Sequence, residues 1–210
     1  DVTMMNSTFN TATAFNQDLS SWDISKVTNM TNFLRFTTLS TENYDAILNA
    51  WSNLTLNSEV PFHGGNAKYS CQSEDARNIL INTYGWTITD GGLASDITDP
   101  TISCIGNQTV VADDGQNYYT VQGTEFDPVS YDDNCGVASV ENDFNSTETL
   151  AGAQLPSGTN TITWTVTDNS GNTAQCSFDV QVSNDITTNY TVNFSVIGGN
   201  GSLIAEVDDT

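Results

Sequence analysis

The chain has 210 residues, room for one large or two small domains. Four Lys plus Arg against 26 Asp plus Glu give a formal net charge of -22, spread along the whole chain, which excludes a basic surface for nucleic acid or for an anionic membrane. A single histidine, His63, and four cations (Lys26, Arg35, Lys68, Arg77) remove most general-base and oxyanion arrangements but do not forbid paired carboxylates, which also need a cleft.

The 30 threonines and 24 asparagines point to strands joined by tight turns. In the first third, Val2-Thr3-x-Met5 recurs as Val27-Thr28-x-Met30, and Phe9 maps onto Leu34. A period in the twenties is the signature of a solenoid, although a Thr/Asn-rich chain can also produce it by coincidence. Phe15, Leu19, Trp22, Ile24, Val27, Met30 and Phe33 supply the inward positions of one turn. Ser40-Thr41-Glu42-Asn43 can cap a helix whose Tyr44, Ile47, Leu48 and Trp51 form one apolar stripe. A short strand is expected at Val60 to Phe62, and a second helix, capped by Ser73, holds Ala76, Ile79 and Leu80. Trp86-Thr87-Ile88 reads as a strand ended by Asp90-Gly91-Gly92. The first domain is placed at 1-93, and Ala94 to Asp99 as a short linker.

The second domain is placed at 100-183. Ile162, Trp164 and Val166 alternate with threonines, and Cys176, Phe178, Val180 and Val182 alternate with polar residues. That period of two marks strands with one face on a core. Asp168 to Asn172 reads as the hairpin loop between them. Earlier strands are expected at Thr109 to Ala112, Tyr118 to Val121, Val137 to Glu141 and Glu148 to Leu150, which together suggest a two-sheet sandwich. Residues 189-210, with Tyr190, Val192, Phe194 and Val196 ahead of a glycine-rich turn, read as a terminal hairpin or the start of a third module. No run of 18 apolar residues is present. The chain reads as an excised piece of a longer protein.

Phe15-Asn16-Gln17-Asp18-Leu19-Ser20-Ser21-Trp22-Asp23-Ile24-Ser25, followed by Val27-Thr28-Asn29-Met30, resembles the BspA-like, mycoplasma-type surface-protein repeat, which is related to leucine-rich repeats. Phe62 to Tyr69 and Gly85 to Gly92 resemble the unit that closes such arrays. Thr101 to Cys104, Asp133-Asn134-Cys135-Gly136, Leu155 to Thr159 and Thr167 to Cys176 resemble the hyalin repeat, an immunoglobulin-like extracellular module. Many bacterial members carry a further cysteine after a Gly-Gln; here Gly115-Gln116 is followed by Asn117-Tyr118, which leaves Cys135 without its usual partner. Residues 190 to 207 weakly resemble the opening of an internalin-B-type repeat. These resemblances imply a short leucine-rich-repeat-like α/β solenoid end unit, an immunoglobulin-like β-sandwich and a terminal β-hairpin. They also imply a non-catalytic segment of a secreted or cell-surface bacterial protein, of the kind found in Bacteroidetes, acting in adhesion or protein contact as a rigid modular stalk; the alternatives are a carbohydrate-binding accessory region of a larger exported protein and a passive spacer.

The four cysteines allow three full pairings. Cys104 with Cys176 is the favoured single pair, stapling the first sandwich strand to the last. Cys71 with Cys135 would lock the two domains together; the alternative leaves both as thiols. Calcium is the one cofactor considered, with Asp127, Asp132, Asp133, Asp168 and Asn169 as candidate ligands, although the same residues equally cap turns. Tyr118, Tyr119 and Tyr131 are candidate binding aromatics. The expected partner is a surface protein or a glycan, with no nucleic acid and no membrane insertion. No catalytic residue is assigned.

Overall fold

A computed structural model describes residues 2–184. The terminal hairpin expected at 189-210 lies outside the described residues. No helix among them is long and apolar enough to cross a membrane.

The N-terminal part is built by stacking main chain on main chain. The amides of Met5, Ser7, Phe9 and Thr11 donate to the carbonyls of Asn29, Thr31, Phe33 and Arg35, each at 2.9 Å. Met30 and Leu34 donate in turn to Pro61 and His63, at 3.0 and 2.9 Å. Helix α1 (Thr41–Trp51) follows, with the Ser40 side chain accepting from the Asn43 amide and Tyr44, Ile47, Leu48 and Trp51 buried. Strands β1 (Pro61–His63) and β2 (Thr87–Thr89) pair in parallel on either side of a 3₁₀ turn (Cys71–Ser73) and helix α2 (Glu74–Asn82). Ser73 does not cap α2 through its side chain; its hydroxyl accepts from Asn49 instead. Ile79, expected on the inward face of the second helix, is 41% exposed, whereas Phe15 and Trp22 of the first turn are half-buried and pack against the cluster.

The rings of Phe33, Trp51, Phe62 and Trp86 fill the centre of this cluster. Gly64 is needed beside them, because a Cβ there would stand 2.6 Å from the Tyr44 hydroxyl. The Tyr44 hydroxyl donates to Asp90 Oδ2 (2.9 Å), which also takes Arg77 Nε (2.8 Å). Asp90 Oδ1 accepts from the Gly92 amide (3.1 Å), so this buried carboxylate ties both helices to the turn after β2. Burial, then the Asp90 charge, raises the Tyr44 phenol well above its ordinary value and keeps it a donor.

The C-terminal part is a sandwich of mixed topology. The long hairpin of β9 (Gly158–Asp168) and β10 (Thr173–Ser183) has the alternation read from the sequence: Ile162, Trp164, Val166, Phe178, Val180 and Val182 are buried. Strand β4 (Gln108–Val111) joins β10 in parallel and β7 (Val137–Asn142) joins β9 antiparallel, giving the order β4-β10-β9-β7. Two short ladders complete the fold, β3 (Thr101–Ser103) with β6 (Ser130–Asp132) and β5 (Tyr118–Thr120) with β8 (Gln154–Pro156). Their loops bring Val121, Phe126, Leu150 and Leu155 onto the sheet, and the Trp164 indole donates to the Phe126 carbonyl (3.2 Å).

The strand expected at Glu148 to Leu150 does not form. The Asp127 carboxylate accepts from the Leu150 amide (2.9 Å) and from the Thr149 hydroxyl (2.8 Å), so a side chain takes groups that a ladder would need. The partner of β5 is β8 instead.

Candidate functional site

Two places combine polar groups with shape: the junction between the two apolar clusters, and a groove beside β7.

The junction is organised around disulfides and asparagines. Cys104 bonds to Cys176, joining the end of β3 to β10 across 72 residues. Cys71 bonds to Cys135, with Cα atoms 5.5 Å apart, and links the N-terminal part to the sandwich. On one side, Asp45 of α1 accepts from the Ser70 amide (2.9 Å) and so positions Cys71. On the other, Asp133 Oδ1 accepts from the Cys135 amide (2.7 Å) and Asn169 donates to the Cys135 carbonyl (2.8 Å). Gly136 stands where a Cβ would come 2.8 Å from Asn169 Nδ2, with φ +91, which explains a glycine there. The stretch expected as a linker is held too: Asn172 Nδ2 donates to the carbonyls of Asp96 (3.4 Å) and Thr98 (3.2 Å).

Asp168 sets this loop. It is 2% exposed, and its carboxylate accepts from the Ser170 amide (2.8 Å) and from the Asn172 amide and side chain (2.8 and 2.7 Å). Burial pushes its pKa up, but the Asn172, Ser170 and Gly171 hydrogen bonds outweigh that and hold it below 3.8. The contribution of Asp168 to stability is therefore full above pH 3.8 and disappears as pH falls through the lowered value. Asp168→Asn is expected to lower the Tm at neutral pH and to flatten the acid limb of a Tm–pH curve. A variant curve parallel to wild type below pH 3.8 would contradict this.

The five residues considered for calcium do not converge. Asp127 caps Thr149 and Leu150, Asp132 Oδ1 accepts from the Asp133 amide (2.9 Å), and the other three brace the Cys135 and Asp168 loops. Among the described residues, the one group at metal-ligating separation is Asp96, Asp133 and Cys135. The Cys135 sulfur is committed to a disulfide, which leaves two carboxylates, far short of the six to eight oxygens calcium takes. Asp96 Oδ2 and Asp133 Oδ2 are buried without a hydrogen-bond partner among the described residues.

The groove encloses about 630 Å³, lined by Gly123, Asp127, Tyr131, Val137, Val140 and Glu148 among others. Tyr131 is 49% exposed within it. Tyr118 and Tyr119 lie on β5, half-buried and outside the groove; the Tyr119 hydroxyl donates to Glu125 (2.9 Å), and burial and that carboxylate raise its pKa. His63 Nδ1 accepts from the Gly65 amide (3.1 Å), a turn contact. The Tyr44–Asp90–Arg77 network was not singled out from sequence; the signal available was an arginine on a helix in a chain with four cations.

Residues 95–182 match the HYR domain family, and residues 1–62 match the family described as "Mycoplasma protein of unknown function, DUF285". Hyalin of Strongylocentrotus purpuratus is 33% identical over 131 residues, 62% of this chain and 10% of that protein. The chain thus spans about a tenth of the length of that curated relative. The sandwich carries a HYR domain, a non-catalytic module of extracellular, surface-associated proteins. Two disulfides agree with an oxidising, extracellular setting.

Proposed function

We propose that this chain is a rigid modular stalk segment of a secreted or cell-surface bacterial protein, presenting its sides for adhesion or protein contact. In this reading residues 2–93 are the closing end of a leucine-rich-repeat-like array, and the HYR sandwich from 100 to 183 is its rigid continuation. The regular donation from Met5–Thr11 to Asn29–Arg35 and on to Pro61 and His63 supports the first part. The observation that carries the whole is the Cys71–Cys135 bridge, braced from both sides by Asp45, Asp133 and Asn169. A covalent link backed by side chains on each partner removes the hinge motion expected at an ordinary domain boundary. Tyr131 beside Asp127 and Glu148 supports a second reading, a carbohydrate-binding accessory region, but a lone ring is a small shelf for a sugar.

Small-angle scattering on the full chain and on the Cys71→Ser/Cys135→Ser variant tests the stalk. The wild type is expected to give a single sharp maximum dimension and the variant a broadened distance distribution. Identical distributions would overturn the reading.

A further inference from the structure

We propose that the outer edge of β7 is a docking strand, taking an extended lysine- or arginine-bearing segment of a partner protein by main-chain pairing in the adjoining groove. The inference rests on the protein-contact reading above and names the class of partner.

β7 ends the four-stranded sheet, so one of its edges has no neighbour in that sheet. The ladder shows which groups face outward. The Asp143 amide donates to the Thr163 carbonyl of β9 (3.0 Å), so Glu141 and Ser139, of the same parity, also turn their main chain to β9. Asn142 turns the other way, and its amide closes on Thr147 (3.1 Å). The N–H and C=O of Val140 share that outward direction, and among the described residues neither has a hydrogen-bond partner outside the sheet. The register shift between Val137 and Ser139 places Ala138 at a bulge on the same edge.

Such an edge usually needs protection, and here it opens into the 630 Å³ groove. The β7 side of the groove is Val137 to Val140; the other side comes from Gly123–Asp127 and Glu148–Ala151, with Tyr131 adding an exposed ring. Three residues of extended chain need ~10 Å, about the length that Ala138 to Val140 offers. An added strand gains affinity from main-chain bonds and specificity from alternate side chains.

Charge selects the occupant. Asp127 and Glu148 line the groove, no Lys or Arg does, and the chain as a whole carries -22. A basic segment is drawn in, whereas a second copy of this chain is repelled.

The test is fluorescence anisotropy with the full chain and a labelled synthetic peptide of alternating lysine and valine, at near-physiological salt. Beside it runs the same peptide with alternate amides N-methylated, which keeps the charge and removes main-chain donors. The methylated peptide is expected to bind about tenfold more weakly, as the loss of one or two main-chain bonds implies. Hydrogen exchange at the Val140 amide is expected to slow when the unmodified peptide binds. Ala138→Lys and Glu148→Lys, both at exposed positions, are expected to weaken binding without lowering the Tm. Absent binding, equal binding of both peptides, or unchanged exchange at Val140 would overturn the proposal. So would a dimer of the chain alone that Ala138→Lys dissolves, or a glycan that occupies the groove and is lost with Glu148→Lys. The scattering comparison on the same samples separates the two readings: a locked chain that ignores the peptide loses only the docking strand, and an unlocked chain that binds it loses only the stalk.

Discussion

Asp90→Ala is expected to destabilise the N-terminal part by about 2–4 kcal/mol, because it removes the buried anion from an ion pair whose Arg77 side is partly exposed and leaves the Tyr44 hydroxyl without an acceptor. The Asp90 side chain is 3% exposed and takes hydrogen bonds from Tyr44, Arg77 and the Gly92 amide. Removing it leaves a half-buried guanidinium without its carboxylate and a buried phenol without an acceptor, while its own compensation in water is small. Arg77 also lies 4.8 Å from the centre of the Tyr69 ring, and that contact cannot replace an anion. Tyr44→Phe, which deletes a single hydrogen bond, is expected to cost only about 1 kcal/mol. Urea denaturation followed by tryptophan fluorescence measures both. A loss for Asp90→Ala no greater than for Tyr44→Phe would mean that the carboxylate is not the tie described here.

Trp164→Ala is expected to cost about 3–5 kcal/mol in the sandwich. The ring is fully buried on β9, its indole N–H is satisfied by the Phe126 carbonyl, and its cross-strand neighbour on β10 is the disulfide-bonded Cys176. Truncation opens a cavity at the centre of the sheet, orphans the Phe126 carbonyl, and leaves a bridge that prevents the two strands from closing the gap. Trp164→Phe refills most of the volume and is expected to fall between wild type and alanine. Urea denaturation again gives the values; an alanine variant within about 1 kcal/mol of wild type would contradict this view of the core.

Periodicity carried the parts of the fold that depend on near neighbours. Helix α1 follows from a serine cap and four apolar residues on one stripe, and the β9–β10 hairpin from strict alternation around Asp168–Asn172. What periodicity misses is side chains that act at a distance. Asp127 takes the Leu150 amide from 23 residues away, so a strand-like stretch becomes a turn and pairing passes to Gln154–Pro156. Asp90, which reads as turn punctuation beside two glycines, meets Tyr44 across 46 residues. The stretch from Ala94 to Asp99 has the composition of a linker, yet Asn172 reaches it across 76 residues. The acids and amides offered as calcium ligands carry a second reading, as groups with work to do at loops. Their hydrogen bonds show that much of this work is bracing the turn at Cys135 and the hairpin loop after β9. A carboxylate that ligates an ion and one that caps a turn have the same sequence signature, and only their partners tell them apart.

The central claim is that two cores, each closed by its own residues, are clamped at one junction. Scanning calorimetry tests it most directly in the Cys71→Ser/Cys135→Ser background, where the clamp is open. Two transitions are expected, with Asp90→Ala moving only one of them and Trp164→Ala only the other. A single transition that both substitutions shift by the same amount would show one continuous core and contradict the account.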